Sequence, residues 1–272
     1  MSAKEDTGKS YHLKCTGDAL TTANAHTSPS DITLFAGCFC PFVQRVWVAL
    51  EYLGIDYHVS SRLVQFFEDI YEVDPYKKPA ELLEVSPKGL VPAIKLNNYN
   101  PPHAVNESTV ILEFLEEPIT PTGYWSLHFI VISKPKMKVE GAKEFIEAVE
   151  GLIVLFERAA TESNSNFGLW KADGDLGLAD VMAGPWLFRA TNVLPYYRGF
   201  TYPDGPKFHA YLERLLNHPA FKKTCSTKQL YIDSYERYVR LLRLVSALDG
   251  RDDDILPSCY ATDMPTTDQI RA

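Results

Sequence analysis

The chain has 272 residues, 46% of them hydrophobic and 23% charged, and carries a formal net charge of −8. That length allows one or two domains with ample core. The acidic balance argues against a nucleic-acid partner, which needs clustered Lys and Arg. Five cysteines at irregular spacing do not read as a disulfide framework. The polar opening Met-Ser-Ala-Lys-Glu-Asp has no apolar signal core behind it. The longest apolar run, Leu127 to Ile132, falls far short of the ~20 residues that span a bilayer. A cytoplasmic protein with no membrane segment is the expectation.

In chain order, residues 1–30 mix Ser, Thr, Asp, Gly and Lys without periodicity and read as a flexible or surface-laid extension. Ile32 to Phe35 is a short apolar run suited to a buried strand. A turn around Gly37 follows. Val43, Val46, Trp47, Leu50 and Leu53 then fall on one face of a helix. Pro41 suits the first helical position, where its missing N–H was unpaired anyway. Gly54 suits the stop, where a left-handed residue is needed.

Cys40 thereby falls at the N-cap. Unpaired backbone N–H groups and the positive end of the helix dipole favour a thiolate there. A free thiol titrates at about 8.5, and helix N-termini lower this by roughly one to several units. The thiolate is the nucleophile in disulfide exchange, so Cys40 is the candidate for covalent sulfur chemistry. Val43 stands three places on, so no resolving thiol shares the turn and an external one is needed. Cys40 also fits as one more small apolar residue. Cys38 reads as a packed structural thiol, because Cys-x-Cys is not the redox spacing.

Asp56 to Ser60 reads as a second strand, in a parallel crossover with the first. Residues 62–85 are broken by Pro75 and Pro79 and read as irregular helix. Val91-Pro92 enters a third strand and is a place to expect a cis bond. Residues 99–105 give a fourth strand, and Asn106-Glu107-Ser108 opens a helix with Val110, Ile111, Phe114 and Leu115 on one face.

The resulting order, β-α-β-α-β-β-α, is that of the thioredoxin fold. Cys40-Pro41-Phe42-Val-Gln-Arg45, Lys78-Pro79, Gly89-Leu-Val91-Pro92 and Glu107-Ser108-Thr-Val-Ile111 resemble, in order and spacing, the cytosolic glutathione transferases. The Cys-Pro-Phe form resembles the omega class and its fungal members. The resemblance covers about residues 31–117 and returns weakly afterwards. It implies that glutathione is the co-substrate. The cysteinyl part would form strand-like bonds to Val91 ahead of cis-Pro92. Glu107 and Ser108 would meet the γ-glutamyl end, Lys78 would approach the glycine carboxylate, and Phe42 would also be a glutathione-binding residue. Each has a plainer reading: Ser108 as a helix cap, Glu107 as an offset to a dipole, Lys78 as a solvated charge.

The second half reads as helical. Residues 118–137 form a proline-bounded, β-branched linker where the family carries a first bundle helix, so that helix is atypical or truncated. Residues 138–248 form the helical domain. Its stripes are Val139, Ala142, Phe145, Ile146, Val149, Ile153 and Phe156, then Phe208, Tyr211, Leu212 and Leu215, then Leu230, Tyr231, Ser234 and Tyr235. Gly177-Leu-Ala-Asp180 resembles the family's capping box with Gly in place of Ser or Thr. Residues 249–272 read as a polar tail. The seven histidines show no metal-binding spacing, so no metal is expected.

The fold class is therefore an α/β thioredoxin-like domain plus an all-α domain. The function implied is an omega-like glutathione-dependent thiol transferase. It would act on a small hydrophobic or glutathionylated substrate, removing glutathione from the latter or reducing dehydroascorbate, through a Cys40–glutathione mixed disulfide. Tyr196, Tyr197 and Trp186 are candidates for an acceptor wall, and a homodimer is expected. Two rivals stand: a non-catalytic ligand-binding protein on the same fold, and a transferase that conjugates xenobiotics.

Overall fold

The computed structural model describes residue 12 and residues 14–60, 80–116, 139–162, 166–202 and 205–236. The expected linker at 118–137 and the polar tail at 249–272 lie outside the described residues.

Four strands form one sheet in the order β2-β1-β3-β4. They are β1 (Ile32–Phe35), β2 (His58–Val59), β3 (Ala93–Leu96) and β4 (His103–Asn106). β2 runs parallel to β1, which requires a crossover, and α2 (Pro41–Leu53) supplies it. β3 is antiparallel to both β1 and β4. Side chains alternate across the sheet. Leu34 and Ile94 pack in the main core with Val46 and Leu50 of α2 and with Ile111 and Leu115 of α4 (Ser108–Glu116). Phe35 and Ala93 face the other way, onto Leu82 and Val85 of α3 (Ala80–Val85). Both faces of the sheet are thus covered, which is why β1 and β3 are apolar except at Thr33 and Lys95.

The expected β-α-β-α-β-β-α order is present, and the fold is thioredoxin-like with helices following it. Pro41 opens α2, and Gly54 closes it with φ 65°, as their positions predict. Val91–Pro92 is cis, and so is Asn100–Pro101.

Of the two readings of residues 1–30, flexible or surface-laid, residues 14–30 take the second. Gly17–Ala25 is a helix, α1, with Ala19 and Thr22 buried, and Cys15 just ahead of it is buried too. The Ala19 amide donates to the Cys225 carbonyl at 3.0 Å, and the Val59 amide donates to the His26 carbonyl at 2.8 Å. The His26 ring stacks on Tyr57 with 3.8 Å between centroids. Tyr57 in turn donates to Glu51 at 2.6 Å. Lys223 reaches the same carboxylate at 2.9 Å. The buried face of α1 is built from Ala19 and Thr22, so it lacks the large apolar residues by which helical periodicity is recognised.

The helical half contains α5 (Val139–Glu162), α6 (Leu178–Arg198), α7 (Pro206–Asn217) and α8 (Pro219–Lys222). Residues 228–236 are helical as well. Ile146, Val149, Leu152 and Phe156 line the buried side of α5, and Phe208, Tyr211, Leu212 and Leu215 line that of α7. α6 packs against α2. A Cβ on Gly184 would stand 2.8 Å from the Phe221 ring, so only glycine lets α6 and α8 approach this closely.

Gly177 is the N-cap of α6. Having no side chain, it leaves the work to Asp180, whose Oδ2 accepts from the Gly177 amide at 2.8 Å and the Leu169 amide at 2.9 Å. Asp180 is fully buried, and burial pushes its carboxyl up to about 6 despite these bonds. Asp180→Ala leaves two amides without acceptors. We expect a loss of about 2–4 kcal/mol, the sum of a lost cap and an unsatisfied buried donor, read as a lower midpoint in urea unfolding.

Candidate active site

Strand register decides what meets at one end of the sheet. Phe35, the last residue of β1, lies opposite Ala93, the first of β3. Ala93 also lies opposite Asn106, the last of β4. The Cys40 turn follows β1, Val91–Pro92 precedes β3, and Glu107–Ser108 follows β4. All three segments therefore emerge at the same edge. The Cys40 Sγ lies 3.9 Å from the Val91 carbonyl oxygen. A Cβ on Gly37 would touch both Val91 and the Cys40 Cβ, so the turn packs directly on the cis-proline segment.

Glu107 has φ 71°, the sole non-glycine residue with positive φ among the described residues. That conformation is costly for a residue with a Cβ, and such residues cluster at ligand clamps. The Glu107 carbonyl accepts the Ile111 amide at 2.9 Å, the first bond of α4. Glu107 thus stands at the cap position and Ser108, buried, is the first helical residue. This corrects the reading of Ser108 as the cap. Lys78 lies outside the described residues.

Cys40 is the N-cap of α2, as its spacing predicts. Its net electrostatic balance differs from expectation. Burial pushes the thiol up from its ordinary value, while the Val43 and Phe42 amides and the Arg189 and Arg45 guanidiniums pull it down. Burial outweighs these. A helix N-terminus was expected to lower the pKa; desolvation of the charged form, invisible in the sequence, is the larger effect. Burial raises the other described thiols too: Cys15 to about 11, Cys38 and Cys225 to about 12. The Cys38 thiol donates to the His12 carbonyl at 3.2 Å and is structural.

The wall beside Cys40 is aromatic and cationic. Phe42 is 44% exposed and meets Trp186 edge-on, 5.0 Å between centroids. The Arg45 guanidinium lies 4.1 Å from the Trp186 ring centroid and donates through Nε to the Met182 carbonyl at 3.0 Å. Trp186 therefore stands near Cys40. Tyr197 instead donates to the Ile232 carbonyl at 2.7 Å, a structural bond, and Tyr196 is exposed.

Sequence reasoning missed Gln44 and Arg189. Both are buried. Arg189 donates to the Phe39 carbonyl at 3.0 Å and also to the Gln44 side-chain oxygen. Gln44 donates to the Thr224 hydroxyl at 3.1 Å. Their separation along the chain hides them; the available signal was a Gln and an Arg in otherwise apolar helices. Among the described residues no group of His, Cys, Asp or Glu could hold a metal ion.

Residues 39–117 match the family described as glutathione S-transferase, N-terminal domain. That segment is a glutathione S-transferase N-terminal domain, and the chain as a whole is similar to glutathione transferases. The crystal structure of glutathione transferase Omega 3C from Trametes versicolor is similar at 29% identity with a TM-score of 0.61, covering 85% of this chain and 99% of that one. Among characterised relatives, pyrimidodiazepine synthase of Drosophila melanogaster is 28% identical over 209 residues, 70% of this chain and 78% of the relative. Glutathione S-transferase DHAR2 of Arabidopsis thaliana is 25% identical over 213 residues, 74% of this chain and 90% of the relative. Members of that family use glutathione as co-substrate. In this chain no described helix is long and apolar enough to cross a membrane.

Two outcomes follow from the geometry. The rate of Cys40 alkylation by iodoacetamide, followed by peptide mass mapping, will climb with pH, its half-maximum lying above that of an ordinary free thiol. The sign is set by burial: a raised pKa leaves less thiolate at any given pH below it. Glu107→Gly removes the Cβ from a left-handed position. It will leave stability in urea unchanged or raise it by up to ~1 kcal/mol, while weakening retention on glutathione resin.

Proposed function

We propose that this chain is a glutathione-dependent thiol transferase of the omega type, with Cys40 as nucleophile. The observation that carries the reading is the Cys40 sulfur seated at a helix N-terminus, 3.9 Å from the carbonyl that precedes cis-Pro92. A peptide laid as an extra strand against Val91 would bring its own sulfur to Cys40. Its γ-glutamyl carboxylate would meet the start of α4 at Ser108, and its ammonium would meet the Glu107 carboxylate. Lys78 is assigned to the glycine carboxylate, and Phe42 with Trp186 to the acceptor side.

The chemistry runs in two exchanges. Cys40 thiolate attacks the glutathione sulfur of a mixed disulfide GS–S–R. A Cys40–glutathione disulfide forms as the sulfur–sulfur bond of the substrate breaks, and the thiolate RS⁻ leaves and takes a proton. The thiolate of a second glutathione then attacks the glutathione sulfur of the mixed disulfide, giving oxidised glutathione and returning Cys40. The net exchange, GS–SR plus one free glutathione giving RSH and oxidised glutathione, consumes one glutathione thiol, because the other glutathionyl group arrives on the substrate. Dehydroascorbate carries none, so its two-electron reduction consumes two. Attack rate follows thiolate fraction and intrinsic nucleophilicity, and the second exchange is faster the lower the pKa of the departing thiol. The amides of Val43 and Phe42 and the two guanidiniums favour Cys40 in that second step. A cytosolic homodimer is part of the same proposal.

Intact mass after exposure to oxidised glutathione tests it. Wild type is expected to gain one glutathione at Cys40, and Cys40→Ser none there, with reduction of a glutathionylated peptide falling at least a hundredfold. An adduct without peptide reduction would point to the ligand-binding rival. Higher activity of Cys40→Ser toward chloro-nitroaromatic acceptors would point to the conjugating one.

A further inference from the structure

We propose that Arg189 is a positioning residue for Cys40, reaching from the helical half of the molecule to hold the backbone just before the nucleophile and the side chain one turn after it. The inference rests on the reading of Cys40 as the reacting sulfur. Arg189 sits on α6 and is 6% exposed. One terminal nitrogen donates to the Phe39 carbonyl, the peptide oxygen immediately ahead of Cys40, at 3.0 Å. The other donates to the Gln44 side-chain oxygen and to the Pro185 carbonyl at 3.2 Å. The Gln44 amide proton completes the first turn of α2 by donating to the Cys40 carbonyl at 3.1 Å. A planar fork with fixed donors can hold two such acceptors at once; a lysine cannot.

Charge makes the case stronger. A buried cation is normally paired with an anion. Among the described residues Arg189 meets neutral acceptors only: two carbonyls and an amide oxygen. It lies over the Tyr231 ring, 4.5 Å from the centroid, and its Nε has no partner among the described residues. The ionisable groups on which its field acts are Cys40, Cys225 and Tyr231, all three pushed up by burial. Cys40 is the one whose flanking peptide Arg189 also holds, through the Phe39 carbonyl. The other groups facing Cys40 are Arg45 from α2 and the Cys38 thiol from the preceding loop, which is neutral at about 12.

The test compares the pH profile of Cys40 alkylation in wild type, Arg189→Met and Arg189→Lys, with near-ultraviolet circular dichroism as the check on folding. Losing a nearby opposite charge shifts a thiol by on the order of one unit. Arg189→Met is therefore expected to move the half-maximum up by about one pH unit, a roughly tenfold slower alkylation at pH 8. Arg189→Lys keeps the charge but holds one acceptor rather than two, so its profile will fall between the others. A merely structural role would lower the unfolding midpoint and leave the profile of the folded protein where it was. A folded Arg189→Met with the wild-type profile overturns the proposal. If that variant does not fold, a wild-type profile in Arg189→Lys overturns the two-acceptor hold. Alkylation needs no glutathione. Glutathione capture that survives in Cys40→Ser would end the thiol-transfer reading without touching this result, and the reverse holds as well.

Discussion

α2 is buried along most of its length, on its polar positions as well as its apolar ones. Val43, Val46, Val48 and Leu50 are covered, and so are Gln44 and Arg45. A buried side-chain amide or guanidinium costs several kcal/mol unless its donors are met. The sheet cannot meet them, because its own polar groups are spent in the ladder. Partners come from the helical half: the Met182 carbonyl for Arg45, Thr224 and Arg189 for Gln44. The thioredoxin-like half is therefore incomplete by itself, and the same contacts that complete it surround the helix end where Cys40 sits.

The balance at that sulfur is a contest between desolvation and fixed donors. Removing a thiolate from water is costly, and on its own this would make Cys40 as inert as Cys15. Two backbone amides and two guanidiniums oppose it without cancelling it. A thiol of this kind is not weakened as a nucleophile once ionised, since intrinsic nucleophilicity rises with pKa. What it sacrifices is the fraction ionised at neutral pH. Burial also thins the solvent between the sulfur and those four donors, so each acts more strongly than it would at an open surface. The same covering that raises the pKa makes the opposing groups effective.

Much of the site was legible because it rests on local rules. Pro41 and Gly54 bound α2, apolar spacing sets its face, and Val91-Pro92 marks a bend entering a strand. These need a dozen residues of context at most. The misses are of another kind. α1 docks through Ala19 and Thr22, side chains too small to leave a hydrophobic stripe. Glu107 takes a left-handed conformation that its side chain does nothing to announce. The hold of Arg189 on Phe39 spans 150 positions, and the net shift at Cys40 depends on how much of the second half covers it. Each miss is a consequence of long-range packing.

The docked N-terminal segment extends the logic of the interface. On one side it engages the thioredoxin-like half, through His26 on Tyr57 and the Val59 amide. On the other it engages the stretch just before residues 228–236, where the Thr16 and Thr227 hydroxyls meet at 2.8 Å. His12 reaches Asp233 at 2.8 Å while its carbonyl receives the Cys38 thiol. One short segment thus ties α2, β2, the Cys38 loop and the 225–233 stretch together. The stretch it holds contains Cys225 beside Gln44 and Tyr231 beneath Arg189. Loosening the segment would therefore be felt at the nucleophile through two side chains that never touch it. A reactive turn held by distant parts of a chain needs those parts fixed to one another, and here the N-terminal residues supply that bond.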